Sequence, residues 1–182
     1  EALRREKQRL TEEGDLIEQK LARFVPLARV GAGAARVSSA RLNVETFPPL
    51  AAKFVRFSIH DTSLHPTLGL IEPCLDEFEI FTHEPQPRNV ALAGSGVKIQ
   101  ASGSRTSDRH RLEHLNDGRY GNAHSWMSDE AGRGWIVFEL PEATHIGKIV
   151  WSRDREGQFD DRRPTAYTLE AGLSLDAIRT LV

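Results

Sequence analysis

Two stretches of the chain concentrate side chains capable of directed polar chemistry. SGSRTSDRHRLEH, residues 102–114, carries His110, Arg111 and His114. WSRDREGQFDDRRP, residues 151–164, carries Arg153, Asp154, Arg155, Phe159 and Arg162. Guanidinium and carboxylate groups hydrogen-bond vicinal hydroxyls, and an exposed ring stacks on the apolar face of a sugar, so the mixture suits a hydroxyl-rich ligand. The competing reading is a self-paired network in which Arg153, Asp154, Arg155, Asp160, Asp161 and Arg162 pin a long loop. Phe159 stands apart from that network, a ring among charges.

Catalytic spacings are missing. There is no His-Glu-x-x-His helix, no Gly-x-Ser-x-Gly elbow and no phosphate loop ending in Lys-Ser/Thr. GSGVKIQASGS is rich in Gly and Ser but reads as turn and strand. The single cysteine, Cys74, follows Pro73 and reads as a buried structural thiol; alone it forms no internal disulfide. Asp160 and Asp161 are adjacent on an extended loop and point apart, which does not suit a hydrolytic pair. These residues predict a protein that is not an enzyme.

The elements that must hold the two stretches are mostly β. In KFVRFSIH, Val55, Phe57 and Ile59 alternate with Arg56, Ser58 and His60. In LDEFEIFT, Phe78 and Ile80 take one face while Glu77 and Glu79 take the other. GWIVFEL alternates Ile136, Phe138 and Leu140 with Trp135, Val137 and Glu139. HIGKIVWSR and TAYTLEAG complete a set of short strands that predicts an antiparallel sandwich or barrel. Before them, residues 1–25 predict a helical arm: Leu3, Leu10, Ile17 and Phe24 recur every seven residues among charges, either as a partner-binding arm or as a stripe packed on its own domain. Residues 26–40 read as a linker rich in Gly, Ala and Ser. Residues 41–182 form the β domain.

The formal net charge is -2 with signs interspersed, which predicts no nucleic-acid partner and no polybasic membrane patch. No apolar run reaches the roughly 20 residues of a membrane helix, so no membrane insertion is expected. The chain opens on Glu1, as a piece of a longer protein would.

The second half resembles the coagulation-factor type C, or discoidin, domain, a galactose-binding-like jelly roll shared with family 32 carbohydrate-binding modules. The likeness rests on LNDGRYGNAHSW (115–126), GWIVFELPEATHIGKIVWSRD (134–154) and RRPTAYTLEAG (162–172), similar to the family's Asp-Gly loop, its Trp-started strand with a Leu-Pro turn and return strand, and its post-loop strand. KFVRFSIH and LDEFEIF, similar to the family's closing strands, come early here, at 53–81. RNVALAGSGVKIQASG, similar to a family opening, follows them. Circular permutation explains this order with one copy of each strand; the tail of one copy joined to the head of another is the alternative.

What the resemblance implies is a glycan-binding accessory module, with a protein-interaction scaffold as the alternative and a protein partner for the arm. A similar arrangement occurs in planctomycete multidomain cytochrome c proteins, so an extracytoplasmic location is implied; this chain has no Cys-x-x-Cys-His to hold a haem. The family also implies a structural Ca²⁺, held here by the carboxylates of Asp117 and Glu77 and by carbonyls of Leu115, Arg119 and His124. Arg119 and His124 depart from the family's acidic or Thr positions. The alternative is that Asp117 makes an Asx turn and Glu77 lies on a solvated face. Trp126 and Trp135 match core positions of the family. Trp151 is open between core and surface, and Tyr120, in the Asp-Gly loop, is a candidate for surface contact.

Overall fold

The computed structural model describes residues 38–182 and, before them, Leu3, Glu6, Lys7 and Arg9. The arm expected over 1–25, apart from those four positions, and the linker up to residue 37 lie outside the described residues. The body is all-β, with strands β1 (Asn43–Thr62), β2 (Cys74–Leu75), β3 (Glu77–Thr82), β4 (Lys98–Ala101), β5 (Trp126–Met127), β6 (Gly134–Ser152), β7 (Pro164–Gly172) and β8 (Arg179–Thr180). Every ladder between these strands is antiparallel. The main sheet runs β3-β6-β1-β7-β8, with β4 also on β6, while β2 and β5 form a separate two-stranded ladder.

Two long strands generate the architecture. β1 has 20 residues and β6 has 19, and they pair along both halves, from Ile59↔Gly134 to Asn43↔Trp151. Their register breaks between Thr46 and Leu50 and between Ala52 and Phe54. Pro48 and Pro49 fall inside the first break, and Pro141 lies in the β6 stretch left unpaired by the second. A proline donates nothing to a ladder and is tolerated at bulges, where the strand bends. The sheet therefore folds over on itself. The strand over GWIVFEL and the one over HIGKIVWSR, expected to be separated by a turn at Leu140-Pro141, are one bent strand, and the strand expected from residue 53 begins at Asn43.

The folded halves enclose the core. Phe78 on β3 stacks 4.8 Å from Phe138 and lies 5.5 Å from Phe57; Trp151 lies 5.3 Å from Phe57 and edge-on to Tyr167 at 5.1 Å. Such aromatic pairs add about 0.5–1.5 kcal/mol each beyond their buried area. The expected alternation is present: Val55, Phe57, Ile59, Phe78, Ile80, Ile136, Phe138 and Leu140 are all buried.

Because β1 and β6 double back, their outer ends meet at one end of the sandwich. Asn43 pairs with Trp151, Thr62 with Pro164, Glu77 with Ser152 and Ala101 with Ile136. The connections 63–73, 102–125, 128–133 and 153–163 all emerge there. They are tied together by Ser63 N–H to Arg163 O (2.8 Å), Cys74 N–H to Arg162 O (3.0 Å) and Ser128 N–H to Pro73 O (3.0 Å). Residues 38–40, at the end of the expected linker, are held there too: Arg153 and Asp154 both donate their N–H to Ala40 O, and Ser38 Oγ donates to Pro164 O.

Candidate functional site

Asp76, between β2 and β3, is the buried pin of the loop end. Its Oδ2 accepts from Gly121 N–H (2.9 Å) and Arg155 N–H (2.6 Å), and its Oδ1 accepts from the Ser152 hydroxyl. One carboxylate thus joins the Asp-Gly loop, the long loop 153–163 and the end of β6. Sequence reasoning passed over it, because nothing local marks Asp76 as different from the other acids of LDEFEIF.

Its neighbour Glu77 is fully buried, which overturns the alternative that it lies on a solvated face. The reason is tertiary. The segment Leu112–Asn116, a short 3-10 turn, packs against both β3 and β4, and Asn116 Nδ2 donates to Ala91 O (2.6 Å). The Asp-Gly loop that follows covers the face. Gly118 takes φ +75°, a backbone favouring glycine, and lets the chain turn over β3. Burial first, then the charges of Asp117 and Glu79, push the Glu77 carboxyl up to about 9. The Gly118 N–H and the Arg155 charge offset this only in part, and neither carboxylate oxygen has a donor in bonding geometry.

Asp117 makes the Asx turn that is the alternative to its metal role, its Oδ1 accepting from Arg119 N–H at 2.8 Å. Its Oδ2 lies 3.6 Å from His124 Nδ1, and the His114 and His124 rings stand 5.2 Å apart. Leu115 has its side chain in the core and Arg119 is exposed. Two carboxylates that repel each other, one of them buried with both oxygens orphaned, fit a divalent cation: the ion would supply the positive charge the protein withholds. The imidazoles of His114 and His124 beside them are donors that a hard, oxygen-seeking ion leaves unused.

The expected ligand residues divide into two groups. On the loop 153–163, Arg153 is 1 % exposed and donates to Asp161 O and Oδ1 (2.8 Å each) and to Asn122 Oδ1 (3.0 Å). Asp154 is buried and accepts from Gln158 N–H and Phe159 N–H through Oδ2. Arg155 pairs with Glu79 at 2.7 Å and lies over the Tyr120 ring at 4.1 Å. Arg162, at φ +57°, pairs with Glu72 at 2.6 Å. Burial pushes Glu72 up, but the Arg162 hydrogen bond and the charges of Arg105 and Arg162 outweigh it and leave the carboxyl low. Phe159 is 41 % exposed, with Arg153 over its ring at 5.4 Å. Trp151 is in the core and Trp126 likewise, its indole N–H bonded to Ser104 Oγ at 2.9 Å; Trp135 is half-buried beside Arg56.

The second group faces a groove. Arg111, Ser104, Thr106, Leu112 and Glu113 line a hollow of about 330 Å³, and Leu112 and Glu113 also line a second of about 180 Å³ with Ala93, Val97, Ile99 and Asn116. Arg111 is exposed, its guanidinium 3.6 Å from Asp108. His110 sits behind, its Nδ1 2.8 Å from the Ser125 hydroxyl. Burial and then the charges of Arg153, Arg162, Arg109 and His114 hold that imidazole below its ordinary value. Cys74 is buried against the same Ser125 hydroxyl at 3.4 Å, and burial raises its thiol.

The fold and site define an antiparallel, sandwich-like β domain with a braced loop end, a buried acidic pocket and an adjoining groove. No family model matches the sequence, and no curated protein matches it.

Proposed function

We propose that the chain is a non-catalytic binding module, a circularly permuted jelly roll of the discoidin type that takes a hydroxyl-rich ligand, a glycan, at its loop end. It would serve as an accessory domain of a larger exported protein. The observation that carries this reading is the groove beside Arg111, where guanidinium, carboxylate and hydroxyl groups rim a floor made partly of Leu112. Polar groups converging over an apolar floor are what a sugar face requires. Phe159 remains available as a stacking ring. Arg153, Asp154, Arg155 and Arg162 act instead as braces, since each is hydrogen-bonded within the domain. A cation between Glu77 and Asp117, calcium in the related family, would stabilise this end.

A second reading, a protein-interaction scaffold, is favoured by the paired cap of loop 153–163 and by the exposed side chains of Leu64, Leu68 and Leu70 on the neighbouring loop. A glycan array separates the two, using the full chain with and without Ca²⁺ beside Arg111→Ala and Phe159→Ala. Glycan binding lost in either variant supports the module. Binding to no glycan, with a melting temperature indifferent to chelator, leaves the scaffold.

A further inference from the structure

We infer that the loop end is a site for a borderline transition-metal ion of the zinc(II) class, held by His114, Asp117 and His124 with Glu77 as the buried counter-charge. The inference rests on the reading of this end as a cation site, and changes the ion.

The donor set is the first ground. One ligand atom from each of His114, Asp117 and His124 can be chosen so that all three lie within 4.8 Å of one another. Atoms at that separation can close onto a common ion at about 2.0–2.2 Å with modest rotamer adjustment. Two imidazoles and a carboxylate are zinc-type donors, whereas Ca²⁺ takes oxygens and gains nothing from the rings.

The second ground is independent of the triad. Glu77 reaches the same place from β3 rather than from the Asp-Gly loop, and it is fully buried with both oxygens orphaned. His124 Nδ1, 3.6 Å from Asp117, is likewise buried without a hydrogen-bond partner. Buried polar atoms are normally satisfied, so three orphans on side chains neighbouring Asp117 call for an unseen partner. With Asp117 and Glu77 both ionised, a divalent ion makes the pocket neutral. Three protein donors on one loop, with a carboxylate behind, describe either an anchored ion or one with a position open toward solvent.

The test uses the full chain stripped with chelator and titrated calorimetrically with ZnCl₂, CoCl₂ or CaCl₂, with melting temperature and the visible absorption of bound cobalt as further readouts. One zinc per chain is expected, with intense cobalt bands of low coordination. His114→Ala and His124→Ala, both partly exposed and checked for folding by circular dichroism, should each weaken zinc by at least about tenfold, since even outer-shell losses cost that much. Zinc affinity unchanged in both variants overturns the proposal. Calcium that stabilises wild type and both variants alike, while zinc has no effect, also overturns it and leaves the calcium reading standing. Zinc bound and calcium silent does the reverse. If neither ion binds, both readings fall.

Discussion

Replacing Asp76 by alanine should unfasten the whole loop end, because three donors from three segments lose one acceptor. Gly121 N–H, Arg155 N–H and the Ser152 hydroxyl all bond to this carboxylate, and Asp76 and Ser152 are fully buried. Hydrogen bonds to a charged group contribute about 1.5–3 kcal/mol each, so three give a ceiling of about 9. Gly121 and Arg155 lie on loops that can shift toward water, which brings the expected loss for Asp76→Ala to about 4–6 kcal/mol. Asp76→Asn keeps an oxygen for both N–H groups and turns its amide toward a hydroxyl that can rotate to accept; it should cost about 1–2 kcal/mol. Urea unfolding at neutral pH measures both. With a slope near 2 kcal/mol/M, the alanine variant moves the midpoint by about 2–3 M at unchanged slope. An alanine variant within about 1 kcal/mol of wild type, or an asparagine variant as damaged as the alanine one, would refute the reasoning.

Three other outcomes follow from the same end of the molecule. Arg153→Met should cost about 3 kcal/mol in the same assay, the low end for a broken buried pair because Asp161 is 29 % exposed and water can reach it. For His110, burial depresses the folded imidazole below its ordinary 6.5, so the unfolded chain binds the extra proton first. Its contribution to stability is therefore complete above pH 6.5 and is lost as pH falls from there through the folded value; wild type measured against His110→Gln should show that loss, and parallel pH profiles would dismiss it. Glu77→Gln, which at constant shape removes the cost of keeping a buried carboxyl protonated in the folded chain, should raise the melting temperature in chelator and lower it in saturating metal. The same sign in both buffers would rule out a cation between Glu77 and Asp117.

Strand faces were legible because period-two alternation is a local signal: Phe57, Phe78 and Phe138 point inward as their neighbours predict. Strand continuity was less so. The turn expected at Leu140-Pro141 is a bend within β6, opposite the break between Ala52 and Phe54, while Pro48 and Pro49 occupy the neighbouring break in β1. One proline suggests a turn; prolines at neighbouring breaks of two strands that pair suggest that both strands bend without ending. That inference needs the pairing first, and pairing is a long-range fact.

The site shows the same limit more sharply. Glu77 and Glu79 share a face by alternation, and that much is right. Yet Glu79 reaches Arg155 at 2.7 Å while Glu77, two residues earlier, is sealed without a donor. Alternation says which way a side chain points but not what will lie over it, and the cover here arrives from the Asp-Gly loop, some forty positions downstream. The nature of that cover bears on the chemistry proposed for it. An apolar lid would have made Glu77 a defect costing several kcal/mol, roughly the cost of an unpaired buried charge. The lid instead brings another carboxylate and two imidazoles, groups that would worsen the repulsion or add little unless positive charge enters between them. The proposed cation would supply that charge, and the nitrogen donors among those ligands would narrow which cation it can be.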